Sequence, residues 1–166
     1  MLFKAGERKK AGSPDDQTSA LDVEDDEKEL HHSLTSHICH FEHNNARINL
    51  LDSPGMPDFV GYVIGALRAA ETAIVTINAH VGIEVNTRRS FQHAGNRGLA
   101  RFVVINKCDE SNINLPKLMD AVREQFGSAC VLMNVPVGIG LDISGVVDAV
   151  RVPESVPEGT VMDPAE

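Results

Sequence analysis

The sequence contains little that would build a secreted or disulfide-bonded protein. Among its 166 residues there is no tryptophan, one tyrosine and only three cysteines. Cys39, Cys108 and Cys130 are odd in number and far apart, so they provide neither the paired spacing of a structural metal site nor a disulfide framework. Because free cysteines are kept reduced inside cells, the cytoplasm is the expected compartment.

The sequence also lacks an apolar segment long enough to cross a membrane. The opening stretch, MLFKAGERKK, has no apolar core of the kind found in signal peptides. The longest apolar region, residues 59–83, is interrupted by Arg68 and Glu71. A basic surface is lacking as well, since the formal net charge is -9, and broad binding to nucleic acids requires clustered lysine and arginine. We therefore expect a soluble protein with no membrane partner and no DNA partner.

Composition changes along the chain predict three segments. Residues 1–36 are polar and include the acid-rich run LDVEDDEKEL, which is typical of a solvated, mobile, switch-like segment. Residues 37–150 alternate between apolar runs and turn residues, which predicts the folded core of a domain. Residues 151–166 are rich in proline and glutamate, which predicts a disordered tail or the start of a truncated inserted subdomain.

Strand and helix patterns alternate within the predicted core. HICHFE and ARINLLD read as a β-hairpin, because the turn residues HNNA join them. After the hairpin, the periodicity predicts helices at 57–70, 85–98 and 114–127 and strands at 72–79, 100–107 and 129–137. This order indicates an α/β fold, with a mostly parallel sheet and helices on both of its faces. In such sheets, ligands bind beyond the carboxyl ends of the strands.

The first motif at a strand end is Asp52-Ser53-Pro54-Gly55, directly after the apolar run INLL. A carboxylate in this place can hold a hydrated Mg²⁺, which prefers oxygen ligands. Gly55 has no Cβ, so its backbone N–H can approach a phosphate oxygen closely, and Pro54 stiffens the turn. The alternative is an ordinary turn, because aspartate, proline and glycine mark turns in many proteins.

The second motif is Asn106-Lys107-Cys108-Asp109, directly after the strand RFVVI. The carboxylate of Asp109 can accept two parallel N–H bonds from guanine, and adenine does not offer that pair. A site built in this way discriminates by roughly 10⁴–10⁵. The stem of Lys107 can lie across the base, and Asn106 can tie neighbouring loops together. The alternative is a helix start, since asparagine and aspartate cap helices well.

The two motifs are more specific together than either is alone. One strand-helix-strand-helix-strand unit separates them, so both are predicted at the same edge of one sheet. This is the arrangement that one nucleotide requires, and the pair of motifs therefore predicts a guanine nucleotide site.

Several stretches of the chain resemble the GTPase domain of elongation factor G. They are RINLLDSPGMPDF, ALRAAETAIVTINAHVGIEVNTRR and FVVINKCD, while VPVGIGLDISGVVDAV is similar to the variant branch of elongation factor G-like proteins. The resemblance covers roughly residues 1–150. It implies a P-loop NTPase-like domain of a ribosome-stimulated GTPase of translation, with GTP or GDP and Mg²⁺ as cofactors and the ribosome as partner.

The resemblance also implies roles for individual residues. Asp52 to Gly55 would serve Mg²⁺ and the γ-phosphate, and Asn106, Lys107 and Asp109 would read guanine. The stretch EKELHHSL falls where the first switch of the family has Glu-Arg-Gly-Ile-Thr, so Ser33 stands in the place of the threonine. The hydroxyl of Ser33 would then reach Mg²⁺ together with Asp52.

Met56 is a departure from the family pattern. It stands where the family usually has a histidine that positions the attacking water. A thioether sulfur is a weak acceptor and no donor, so hydrolysis is expected to be slow unless another group orients that water.

A second departure concerns the phosphate loop. The pattern G-x-x-x-x-G-K-[ST] is absent, since in GERKKAGS five residues separate the glycines and no lysine follows the second one. The stretch MLFKAG is similar to the end of the helix that follows that loop in the family. The resemblance therefore implies an incomplete domain, in which the first strand and phosphate loop are missing and the last strands are truncated.

Three alternatives remain open from the sequence. The chain could be a non-catalytic interaction fragment that keeps the fold without the nucleotide, or a GTPase of the ribosome-protection or release-factor type. Five of the seven histidines lie between residues 31 and 43, where a zinc site is the third alternative. Surface histidines on the hairpin are the simpler interpretation of that cluster.

Overall fold

The computed structural model describes residues 1–13, 16–151 and 153–164. The chain forms two compact units, one of Met1–Thr72 with Asn96–Leu99 and the other of Ala73–Gly95 with Ala100–Glu166. In chain order, the helices and strands are α1 (Asp25–Leu30), β1 (His37–His43), β2 (Ala46–Asp52), α2 (Val60–Ala69), β3 (Thr72–Asn78), α3 (Val85–Asn96), β4 (Ala100–Asn106), α4 (Leu115–Phe126), β5 (Asn134–Val137) and β6 (Gly145–Asp148). Short 3-10 turns at Pro57–Phe59 and Gly140–Asp142 complete the set.

The predicted β-hairpin is confirmed in the first unit. β1 and β2 are antiparallel, and their register pairs His37 with Asp52 at one end and His43 with Ala46 at the other. Asn44 and Asn45 have φ values of 49° and 61°, so this two-residue turn matches the twist of the strands and asparagine tolerates its positive φ. The hairpin therefore presents Asp52 at the carboxyl end of β2.

The first unit also contains a short helix that the sequence analysis did not predict. α1 lies inside the segment expected to be a solvated loop, and it begins with a capping box between Glu24 and Glu27. Such a box satisfies two backbone N–H groups that a helix start leaves unpaired. Glu27 is fully buried, so this part of the acid-rich run is structured around one of its own carboxylates. The mobility of residues 1–36 as a whole stays a prediction.

The second unit contains the main hydrophobic core. Alternate residues of β3 are buried, so one face of this strand is covered and the other is exposed, whereas its continuous apolar run predicted a strand covered on both faces. The buried core cluster consists of Ile77, Ala79, Ile113, Leu115, Leu118 and Val122. Removing a large side chain of this kind from water stabilises a fold by about 1.5–3 kcal/mol. Because α4 supplies three of these residues, the core joins that helix to the end of β3.

β3 and β4 pair with each other in the second unit. The backbone N–H of Ala79 donates to the carbonyl oxygen of Asn106 at 2.9 Å, which places the carboxyl ends of the two strands side by side, as in a parallel pair. The loop that begins at Asn106 is therefore held against the end of β3.

The predicted helices are confirmed, with small differences at their ends. Pro57 begins the turn that leads into α2, and Asn114 caps α4 by accepting the Lys117 N–H at 3.0 Å. α4 ends before Gly127, whose φ of 107° favours glycine, as predicted. α3 ends at Asn96, two residues earlier than its predicted end at Gly98.

The prediction that the strands form one continuous, mostly parallel sheet is wrong on the continuity of the sheet. The strands of the described residues form three two-stranded sheets, β1–β2, β3–β4 and β5–β6. β5 is shorter than predicted, since only residues 134–137 pair with β6, and it pairs antiparallel. Apolar sequence alone does not make a strand; a hydrogen-bonding neighbour is also required, and Val131, before β5, is 78% exposed. The missing first strand and the truncated last strands stay predictions.

Part of the predicted tail is ordered against β5. Thr160 forms an antiparallel bridge with Val137, and the N–H of Gly138 donates to the carbonyl oxygen of Gly159 at 2.9 Å. Val161 packs against the core cluster. Residues 152, 165 and 166 of the tail lie outside the described residues. None of the described helices is both long and apolar enough to span a membrane.

Candidate functional site

Asp52, the predicted Mg²⁺ anchor, is half-buried at the end of β2. Burial raises the pKa of its carboxyl, and the nearby Asp22 carboxylate raises it further, while His37 acts in the opposite direction. A like charge close to a carboxyl group disfavours its ionised form. The site therefore has an excess of negative charge that a cation would relieve.

The turn after Asp52 is anchored by its serine and proline. The hydroxyl groups of Ser53 and Ser36 are 3.1 Å apart, and Pro54 is almost fully buried. Gly55 is exposed, and no atom lies within 4 Å of a Cβ built on it. Met56 is 44% exposed, and its carbonyl oxygen accepts the Phe59 N–H at 3.2 Å. The exposed Gly55 therefore follows two anchored residues of the motif.

Ser33, the other predicted Mg²⁺ residue, is bonded to an acid that the sequence analysis did not single out. Its hydroxyl donates to Oδ1 of Asp22 at 3.0 Å, and Asp22 is buried. Since the same Asp22 carboxylate acts on Asp52, it is the electrostatic link between the two predicted Mg²⁺ residues. Asp22 lies in an acid-rich run, and the carboxylates of such runs are usually solvated. Its burial was therefore not predicted from the sequence.

Glu27 holds the segment that leads to Ser33. Its carboxylate oxygens accept the backbone N–H groups of Val23, Glu24, Leu34 and Thr35 at 2.8–3.2 Å. Burial would raise the pKa of Glu27, but the hydrogen bonds from Leu34, His37, Thr35 and Glu24 outweigh it and lower the pKa to about 2. One buried carboxylate thus ties together both ends of the segment from Val23 to Thr35.

His37 joins this carboxylate to the hairpin. Its Nε2 lies 3.0 Å from Oε1 and 2.9 Å from Oε2 of Glu27, and 3.2 Å from the Thr35 hydroxyl. Since His37 is also the register partner of Asp52, the switch-like segment is fastened at the end of the hairpin where Asp52 lies. The sequence predicts a surface histidine at position 37, whereas the side chain of His37 is only 16% exposed.

The second predicted motif lies in the other unit, after β4. Lys107 adopts a φ of 59° and its carbonyl oxygen accepts the Glu110 N–H at 3.2 Å. Its ammonium Nζ lies 3.7 Å from Oε1 of Glu110, a surface pair worth about 0–1 kcal/mol. Asp109 is exposed. The chain reverses tightly here and leaves Asp109 at the loop surface.

Cys108 supports this loop from inside. Its thiol donates to the carbonyl oxygen of Ile105 at 3.5 Å. Burial raises the pKa of the thiol, and the neighbouring Asp109 carboxylate adds to that effect. Cys108 is therefore a partly buried side chain of the loop, in surroundings that disfavour its thiolate form.

Comparison with known proteins assigns the family. The model of the family described as elongation factor Tu GTP binding domain matches residues 1–157. The chain belongs to this family. The resemblance stated from the sequence motifs is confirmed, and the chain carries the GTP-binding domain of translational GTPases with an α/β GTPase-like fold.

Individual relatives place this GTP-binding domain among two kinds of factor. Elongation factor G of Mycoplasma pneumoniae is 29% identical over 91% of the chain and 22% of the relative. Peptide chain release factor 3 of Rippkaea orientalis is 36% identical over 81% of the chain and 25% of the relative. A crystal structure from Thermus thermophilus, of the protein titled ttk003000868, matches with a TM-score of 0.84 at 29% identity, over 95% of the chain and 25% of that protein. The chain thus spans about a quarter of each of these proteins.

The residues of this GTP-binding domain suit Mg²⁺ better than zinc. A carboxylate and a hydroxyl, from Asp52 and Ser33, are hard oxygen donors, and the charge of Asp22 beside them favours a cation. Among the described residues, no group of three or more histidine, cysteine, aspartate or glutamate side chains is gathered to hold a metal ion. One residue of the histidine-rich segment, His37, belongs to the Glu27 network.

Proposed function

We propose that this GTP-binding domain binds a guanine nucleotide with Mg²⁺, using the ends of β2 and β4. The observation that carries the proposal is that both strand-end motifs fall where the fold ends a strand, inside a match to the family that covers residues 1–157. Asp109 would read the base by accepting two N–H groups, with Lys107 across its face and Asn106 tying the loop.

The motif after β2 would serve the phosphates and the metal ion. Asp52 and the Ser33 hydroxyl would hold Mg²⁺, and the N–H of Gly55 would approach a phosphate oxygen, with Ser53 and Pro54 fixing the turn. Bound Mg²⁺ would supply charge neutralisation at the phosphates. The Glu27 network keeps the segment that carries Ser33 folded at the end of the hairpin, so that the hydroxyl needs little reordering to serve the ion.

We infer that these 166 residues bind nucleotide weakly and hydrolyse it slowly. They contain no G-x-x-x-x-G-K-[ST] motif, whose backbone N–H groups would cradle the phosphates. We infer further that the first strand and phosphate loop of the fold lie outside these residues. Met56 offers no donor for an attacking water, which is a second reason for slow hydrolysis.

The whole protein, we propose, is a cytoplasmic GTPase that acts on the ribosome in an elongation factor G-like step. Release factor activity is the second candidate, because relatives named peptide chain release factor 3 reach 37% identity. A non-catalytic interaction fragment is the third candidate, and the missing phosphate loop supports it.

Nucleotide titrations test the binding proposal directly. A fluorescent GTP analogue should bind the chain only weakly, and micromolar or tighter binding would contradict the role given to the missing phosphate loop. At millimolar concentrations, NMR titration should show preference for GDP over ADP, and absence of that preference would contradict the guanine site.

The variant Asp109→Asn tests the base-reading role. It should weaken binding of GDP and favour xanthosine diphosphate, because xanthine carries a C2 carbonyl oxygen in place of the guanine amine and this oxygen can accept from an amide donor. Asp120→Asn is the matched control, because Asp120 is an exposed aspartate on α4 of the same unit. If Asp109→Asn still prefers GDP over xanthosine diphosphate, Asp109 does not read the base.

A further inference from the structure

The loop that carries Asp109 is held by a turn from a distant part of the chain. The backbone N–H of Gly140 donates to the carbonyl oxygen of Cys108 at 3.1 Å. Cys108 is the third residue of the motif, directly before Asp109, and its carbonyl faces the turn between β5 and β6. This contact joins the predicted base-reading loop to residues about thirty positions later in the sequence.

We propose that Gly140 is a positioning residue for the base-reading loop Asn106–Asp109, a role that rests on the guanine binding proposed above. Gly140 has a φ of 61°, in the left-handed region that favours glycine. A Cβ at this position would lie 3.0 Å from the carbonyl oxygen of Glu110, closer than carbon and oxygen normally approach. A side chain here would therefore push on the backbone immediately after Asp109.

The turn that carries Gly140 is itself fixed at both of its ends. The carbonyl oxygen of Val137 accepts the N–H of Ser144 at 3.0 Å, and the carbonyl of Gly140 accepts the N–H of Ile143 at 3.3 Å. On the other side of β5, the N–H of Gly138 donates to Gly159. Because this turn is anchored independently of the loop, a Cβ at Gly140 would displace the loop at Glu110 as well as straining the turn.

Displacement of the loop has a distinct effect on base selectivity. Guanine offers Asp109 a ring N–H and an exocyclic amine, whereas hypoxanthine offers only the ring N–H. A hydrogen bond to a charged group is strong enough to give about a tenfold or greater preference for guanine. That preference depends on the position of the Asp109 carboxylate, so it should fall if the loop moves, even where the protein remains folded.

The test compares GDP and IDP binding by NMR titration of the whole chain at millimolar nucleotide. The wild-type chain should prefer GDP about tenfold, and Gly140→Ala should reduce the preference toward one. Gly145→Ala is the matched control, because Gly145 lies in β6 of the same unit and, apart from its chain neighbours, no atom of the described residues lies within 4 Å of a Cβ built on it. The ratio of two affinities measured on one sample is insensitive to loss of folded protein. A wild-type ratio in Gly140→Ala would overturn the proposal.

A second readout separates failure of this inference from failure of the proposed function. The Glu110 N–H, bonded to the carbonyl of Lys107, reports loop conformation by amide exchange without any nucleotide. The exchange rate of this amide should rise about tenfold or more in Gly140→Ala. It should equal the wild-type rate in Gly145→Ala. Unchanged exchange in Gly140→Ala would overturn the positioning role. A wild-type chain with no preference for GDP over IDP would overturn the guanine site and the selectivity role together.

If Gly140→Ala does not fold, a second variant, Gly140→Asn, tests the same proposal. Asparagine tolerates positive φ better than alanine does, but it carries the same Cβ toward Glu110. Gly140→Asn should therefore fold and still lose the preference for guanine. Retention of the wild-type preference and of Glu110 protection in this variant would equally overturn the proposal.

Discussion

The imidazole Nε2 of His37 lies 2.9 Å from the Oε2 atom of Glu27. This contact joins the first residue of β1 to a carboxylate of α1 that is completely buried. A buried charge is costly unless hydrogen bonds satisfy it, and here four backbone N–H groups and one imidazole do so. The stability of the segment that leads to Ser33 therefore depends on this carboxylate.

The variant Glu27→Gln should destabilise the first unit by about 2–4 kcal/mol, because an amide loses charge-assisted bonds and directs a donor at other donors. Urea unfolding followed by circular dichroism measures the change. Glu29→Gln is the matched control, since Glu29 is an exposed glutamate of the same helix, and it should change stability by less than about 0.5 kcal/mol. Equal effects of the two variants would show that the buried carboxylate has no special role.

The stability contributed by Glu27 should depend on pH in the acid range. Its pKa is lowered from 4.5 to about 2 in the folded chain, so between these values the folded state holds fewer protons than the unfolded state. The contribution is complete above pH 4.5 and is lost as the pH falls to about 2. The difference in unfolding free energy between wild type and Glu27→Gln should therefore shrink over that interval. A difference that stays constant from pH 5 to pH 2 would rule out this account.

Replacement of Asp52 should affect stability in opposite directions without and with Mg²⁺. Burial and the Asp22 carboxylate both disfavour the charged form of Asp52, so Asp52→Asn should raise the unfolding free energy by up to about 1 kcal/mol in metal-free buffer at neutral pH. Millimolar Mg²⁺ should stabilise wild type and leave Asp52→Asn unchanged. Asp120→Asn, at an exposed position of α4, should keep the wild-type response. Equal Mg²⁺ responses in wild type and Asp52→Asn would remove Asp52 from the metal site.

Gly95 should prove less tolerant of alanine than a helical glycine in an open position. The guanidinium of Arg101 lies over the ring of Phe91 at 4.1 Å, and a Cβ on Gly95 would lie 2.6 Å from its Nη1 atom. Alanine gains about 1 kcal/mol over glycine inside a helix, but here it would displace a cation–π contact worth about 0.5–1 kcal/mol. We expect almost no net change.

Gly65→Ala is the matched comparison for Gly95→Ala. Gly65 lies in α2, where no atom is found within 4 Å of the built Cβ, so alanine should stabilise the fold by about 1 kcal/mol. In an Arg101→Met background, Gly95→Ala should recover a gain of the same size. Urea unfolding of the four variants measures this coupling. If Gly95→Ala gains no stability in the Arg101→Met background, Arg101 does not determine how well Gly95 tolerates alanine.

Local signals in the sequence predicted much of the fold. The Asn44–Asn45 turn, the apolar period of the helices and the glycine after α4 each depend on a few neighbouring residues, and the structure confirms them. The continuity of the sheet, the shortened β5 and the added β6 were not predicted. Those features depend on which distant strand supplies hydrogen bonds, and hydrophobic periodicity does not specify the partner.

The sequence alone determined the two strand-end motifs and the family to which they belong, because residue type and short spacing carry that chemistry. Only the tertiary structure decided that Glu27 is a buried hub, that Asp22 stands beside Asp52, and that Gly140 contacts the loop of Asp109. From the sequence, every carboxylate of an acid-rich run is predicted to be solvated. Gly140, about thirty residues after the Asp109 loop, is predicted only to lie in a turn. Their roles arise from backbone N–H and C=O groups brought together by folding, which residue identity does not encode locally.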